Sequence, residues 1–75
     1  MRAAEVTELV LEALPGARVR VTDMTGTGDH FEVRVASERF NGRTLIEQHQ
    51  LVMEALATEM DRGIHAVKIK TESIP

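Results

Sequence analysis

The hydrophobic period of this chain switches between 3.6 and 2 in the order helix, strand, strand, helix, strand, which leaves few folds open to it. From Ala3 to Leu14, the residues Val6, Leu9, Val10, Ala13 and Leu14 recur at helical spacing, with Glu5, Glu8 and Glu12 on the other side. Pro15-Gly16 stops the helix, because proline disfavours helical backbone before it and glycine permits the turn. Ala17 to Asp23 alternates: Val19 and Val21 face one way, Arg18, Arg20 and Thr22 the other. Thr25-Gly26-Thr27-Gly28-Asp29 forms a loop. Phe31 to Ser37 alternates again, with Phe31, Val33 and Val35 inward and Glu32 and Arg34 outward. Two alternating runs around a short glycine loop predict a β-hairpin. After a turn at Phe40-Asn41-Gly42, Thr44 and Glu47 form a capping box. The helix it opens runs to about Met60 and places Leu45, His49, Val52, Met53, Leu56 and Met60 on one face. Asp61-Arg62-Gly63 ends it. Ala66 to Thr71 is the last strand, with Val67 and Ile69 inward and Lys68 and Lys70 outward, and Glu72 to Pro75 is a short tail.

This order predicts an α+β domain of αββαβ topology. The hairpin makes the first two strands antiparallel, and a helical crossover makes the second and third parallel. Both helices then cover one face of a mixed three-stranded sheet. Parallel strands start at the same edge of a sheet. His30, at the start of the second strand, and His65, at the start of the third, are therefore expected at one corner.

Size narrows the chemistry. A 75-residue chain is expected to be one domain, and one this small buries only about 60% of its unfolded surface. Such cores usually need a staple: disulfides, a metal or a partner. The chain has no cysteine, so disulfides are excluded and any thiolate ligand must come from elsewhere. The formal net charge of −3 argues against non-specific nucleic-acid binding by the whole molecule. No signal peptide is visible, and no apolar run approaches the roughly 20 residues of a membrane span. The expected location is the cytoplasm, or an organelle after removal of a presequence.

Individual residues carry open readings. On spacing alone, His65 is either a structural histidine or a ligand, and His30 either a ligand or a hairpin cap. His49 falls among Leu45, Val52 and Met53 and reads as a packing residue. Asp29 is a turn residue, and Gly26 and Gly28 permit positive φ rather than cradling a phosphate, because no P-loop lysine or helix follows. The outward sheet face carries Arg18, Arg20, Arg34, Lys68 and Lys70, with Glu32 among them. It is a solvated face or a surface for nucleic acid or an acidic partner. No Trp or Tyr is present to stack bases. No serine has an evident histidine–acid partner, and no carboxylate pair suggests acid–base work. The chain reads as a binding or regulatory module rather than an enzyme.

The motifs together resemble those of the BolA family. Thr22-Asp23-Met24-Thr25-Gly26-Thr27-Gly28-Asp29-His30-Phe31-Glu32-Val33 is similar to that family's hairpin. Val35-Ala36-Ser37-Glu38-Arg39-Phe40-Asn41-Gly42-Arg43-Thr44-Leu45 resembles its V-S-x-x-F-x-G-K-x-L run. Gln48-His49-Gln50-Leu51-Val52-Met53-Glu54-Ala55-Leu56 is similar to R-H-R-L-V-x-x-A-L, with both basic residues replaced by glutamine. Ile64-His65-Ala66-Val67-Lys68-Ile69-Lys70-Thr71 resembles I-H-A-L-x-x-K-T. The resemblance implies a class II KH-like fold and a role in iron-sulfur metabolism. It implies a monothiol glutaredoxin partner and a shared [2Fe-2S] cluster, to which the glutaredoxin cysteine and glutathione give thiolates and this chain gives His65. A second ligand often comes from the hairpin loop. Where one branch of the family has a cysteine there, this chain has Thr27, and His30 is the remaining candidate. Imidazole suits this task, since histidine replaces thiolate on one iron of Rieske-type centres. The alternative is a KH-like nucleic-acid-binding transcriptional regulator working through the basic sheet face. A third reading is an adaptor that needs no cluster.

Overall fold

The computed structural model describes residues 2–26, 30–60 and 66–74. The first helix, α1 (Ala3–Ala13), begins at Arg2, whose backbone N–H donates to Glu5 Oε1 at 3.2 Å. It ends at Leu14, whose N–H returns to the Val10 carbonyl at 2.9 Å, and Gly16 takes the left-handed φ of 84° that the reversal requires. Strands β1 (Arg18–Asp23) and β2 (His30–Ser37) form an antiparallel pair, with Val19 opposite Val35 and Val21 opposite Val33. A single 3-10 turn (Glu38–Phe40) follows, begun by Ser37, whose buried hydroxyl accepts from the Arg39 N–H at 3.1 Å.

Helix α2 (Leu45–Met60) starts on the capping box read from the sequence. The Glu47 N–H donates to Thr44 Oγ1 at 3.2 Å, and the Thr44 N–H donates to Glu47 Oε1 at 2.9 Å. The Thr44 backbone N–H first, and the Thr44 side chain second, hold the Glu47 carboxyl below its ordinary pKa. Strand β3 (Ala66–Ser73) then pairs parallel with β2, from His30 opposite Ala66 to Ser37 opposite Ser73. The sheet order is β1-β2-β3, so β2 is central.

The core lies between the sheet and the two helices. Phe31, Val33 and Val35 from β2 meet Val6, Val10 and Leu14 from α1 and its end, Val52 and Leu56 from α2, and Phe40. Alternation explains the selection: β2 shows its odd-numbered residues to the helices and its even-numbered residues to the opposite face. Among the described residues, no helix covers that opposite face.

Two expectations need correction. The tail does not begin at Glu72, because β3 continues to Ser73, with Glu72 and Ser73 opposite Ala36 and Ser37. Asn41 Nδ2 also donates to the Ile74 carbonyl at 3.0 Å, and this bond holds the end of the strand. Lys70 to Ser73 have little apolar character, so periodicity could not reveal the extension. The expected apolar face of α2 is the second correction. Val52 and Leu56 are buried, but Leu45 is 61% exposed and Met53 37% exposed. Leu45 opens the first turn and lacks core residues beside it. Met53 is rotated about 100° from Val52, onto the flank of the helix. Met60 falls on the stretch whose side chains lie outside the description.

Candidate functional site

The hairpin and the crossover converge on the edge of the sheet where β2 and β3 begin. Asp23, the last residue of β1, organises the entry to the loop. Its Oδ1 accepts from the Gly26 N–H at 2.9 Å and from the Thr25 N–H at 3.3 Å, and Gly26 has a φ of 75°. The Met24 N–H donates to the His30 carbonyl at 2.9 Å, which brings the returning chain back into register. His30 is half-buried and shares the even-numbered parity of Glu32 and Arg34, away from the helices. Its Cα partner across the parallel ladder is Ala66, the residue after His65 in sequence.

Of the two histidines proposed as ligands, His30 is thus placed at the predicted corner, and His65 lies outside the described residues. So do Thr27, Gly28 and Asp29. Among the described residues no group of three His, Asp or Glu side chains could hold a metal ion. No described helix is long and apolar enough to cross a membrane. His49 is half-buried on α2.

Two positions that shape the site were invisible to spacing. Asp23 reads as the end of a strand, and only its place three residues before Gly26 signals the turn it makes. Gln48 reads as a substitution for a basic residue. In the structure it is a junction: its Nε2 donates to the Phe40 carbonyl at 3.3 Å and the Arg43 carbonyl at 3.0 Å, and its Oε1 accepts from Thr71 Oγ1 at 2.6 Å. An arginine or lysine has no acceptor to offer Thr71. The glutamine therefore locks α2 to β3, the strand that follows His65.

The uncovered sheet face is assembled as expected. Arg20, Arg34 and Lys70 lie in one row across the three strands, flanked by Arg18 and Lys68. Glu32 Oε1 lies 3.0 Å from Arg34 Nε and 3.7 Å from Lys70 Nζ. The bond from Arg34, helped by the nearby Lys70 and Lys68 charges, lowers the Glu32 pKa from its ordinary value.

The comparisons with known proteins agree with this architecture. The family model for BolA-like proteins matches residues 10–74. The uncharacterized protein RP812 of Rickettsia prowazekii is 36% identical over 73 residues, covering 97% of this chain and 95% of that one. The chain spans 64% of the length of bovine BolA-like protein 3, to which it is 37% identical over 73 residues. The solved structure of BolA1 from Arabidopsis thaliana superposes with a TM-score of 0.88 at 28% identity, covering 97% of this chain and 92% of that one. The BolA domain of SufE1 from the same plant superposes with a TM-score of 0.84 at 26% identity, covering 96% and 91%. A match over nearly the whole length, in sequence and in the αββαβ layout alike, has one reading: the chain belongs to the family of BolA-like proteins.

Proposed function

We propose that this protein is an accessory factor of iron-sulfur metabolism that pairs with a monothiol glutaredoxin and contributes His65 to a shared [2Fe-2S] cluster. The observation that carries the reading is the parallel register, His30 opposite Ala66, which pairs the start of β2 with the strand that follows Ile64-His65 in sequence. Family membership supports it, as does the occurrence of a BolA domain within SufE1. With no cysteine the chain has imidazole rather than thiolate to offer such a centre, and the BolA-family resemblance implies thiolates from the glutaredoxin and from glutathione. His30 is the candidate for a second contribution, because its backbone is held by Met24 and its Cα partner adjoins His65 in sequence. A ligating imidazole must be deprotonated at one nitrogen, so assembly is expected to weaken in acid.

The test is a titration of this protein into a [2Fe-2S]-loaded monothiol glutaredoxin with glutathione, followed by visible absorption and circular dichroism. The expected result is a new spectrum that saturates at a fixed ratio with the natural sequence and is absent with His65→Ala. An unchanged spectrum with the natural sequence would remove the reading.

A further inference from the structure

The row Arg20–Arg34–Lys70 is a local arrangement that the isolated domain has no reason to keep. Like charges directly opposite on neighbouring strands are destabilising, and here two such pairs share one residue. Glu32 offers one carboxylate to both Arg34 and Lys70, whose side chains stay 57% and 49% exposed. The whole face bears Arg18, Arg20, Arg34, Lys68 and Lys70 against Glu32 and Glu72, a surplus of three positive charges on a chain of formal net charge −3. The rest of the molecule is therefore strongly acidic. Local rules are broken most often where a surface has a task.

We propose that this uncovered face docks a carboxylate-bearing helix of a partner protein. Neighbouring strands lie about 4.8 Å apart, so the cationic row spans about 10 Å, the width of a helix. Along each strand, outward residues repeat every ~6.7 Å, close to the ~6 Å step between side chains four apart on a helix. Carboxylates at that spacing meet Arg18 and Arg20 on β1 or Lys68 and Lys70 on β3, and each guanidinium can donate two parallel N–H bonds to a carboxylate. The same face suits nucleic acid poorly. Both phenylalanines are buried in the core and there is no Trp or Tyr, so beyond His30 at its edge and the arginine planes the face has no stacking platform for bases. A long polyanion would also overrun the basic face onto the acidic remainder. The proposal stands on the described sheet alone and is independent of the cluster.

The test uses the isotope-labelled protein and a synthetic helical peptide of about 16 residues, ~24 Å long, with glutamates four apart. The expected outcome is amide shifts confined to Arg18, Arg20, Arg34, Lys68, Lys70 and their neighbours, fading with salt. The peptide with glutamine for glutamate should give none. Affinity should fall about tenfold in Arg20→Gln/Arg34→Gln, and further in Arg20→Glu/Arg34→Glu, with the dispersion of the folded spectrum retained in both. No shifts, or shifts on the helical side, would overturn the proposal. So would tighter binding of a 20-base-pair DNA duplex through the same residues at equal salt. Shifts of these residues on concentrating the protein alone would overturn it too, assigning the face to the Glu5, Glu8 and Glu12 side of a second copy.

Discussion

The two faces of the sheet are made of the same three strands and obey opposite rules. On one, Phe31, Val33 and Val35 are buried under α1 and α2, and each side chain is held by its neighbours. On the other, Arg34 and its cross-strand partners Arg20 and Lys70 stand in solvent, where like charges face one another, with the half-buried Glu32 paired to Arg34 and Lys70. The covered face accounts for the stability of the domain. The uncovered face contributes little beyond the ion pairs of Glu32. Alternation along a strand thus separates folding from recognition, residue by residue.

Substitutions should expose that separation, the largest effects coming first. Phe31→Ala removes a fully buried ring from the central strand and should cost about 3–5 kcal/mol, enough to unfold most of a small domain. Chemical denaturation followed by far-ultraviolet circular dichroism would show it, and a cost below 1 kcal/mol would mean that the core is elsewhere. Gln48→Ala should cost about 1–3 kcal/mol, because it strands the part-buried Thr71 hydroxyl and removes the side-chain bonds to the Phe40 and Arg43 carbonyls, the first of which keeps the Arg43 N–H. Gln48→Lys should recover only part of that loss, since lysine has no acceptor for the Thr71 hydroxyl. Thr44→Ala, which opens the capping box, should cost about 0.5–2 kcal/mol. Arg34→Ala, on the uncovered face, should stay within about 0.5 kcal/mol of the natural sequence. A loss as large as that of Phe31→Ala would erase the contrast between the faces.

Acid gives a gentler probe of the same contrast. The Glu47 and Glu32 carboxyls titrate below their ordinary value when folded. Each therefore adds stability that is present above the ordinary carboxylate range and lost as pH falls through its folded pKa. Melting temperature should decline across that acidic window, and in Glu47→Gln the decline should be shallower. An unchanged slope would show that the capping box does not carry the effect.

The layout was legible in the sequence wherever hydrophobic period and turn chemistry agreed. Val19, Val21, Phe31, Val33 and Val35 announced the hairpin, Thr44 and Glu47 the start of α2, and the crossover the parallel pair. Periodicity failed where burial depends on what lies opposite. Leu45 and Met53 carry the right side chains, but no sheet lies beneath one and the helix turns the other aside. The last residues of β3 are polar and are held by pairing and by Asn41, a partner more than thirty positions away in sequence. At the candidate site, the meeting of the two strand starts followed from topology. The roles of Asp23 and Gln48 did not, because a side chain that bonds backbone looks like any other polar residue in a sequence.

The most direct measurement concerns the atom that would touch iron. The protein is labelled with nitrogen-15 at histidine alone, mixed with the loaded glutaredoxin and glutathione, and the reduced cluster is examined by pulsed electron paramagnetic resonance. If His65 is a ligand, a strong nitrogen-15 hyperfine coupling appears with the natural sequence and vanishes in His65→Ala. It persists in His30→Ala if His65 alone supplies nitrogen. A shared cluster with no nitrogen coupling in the natural sequence would contradict histidine ligation outright.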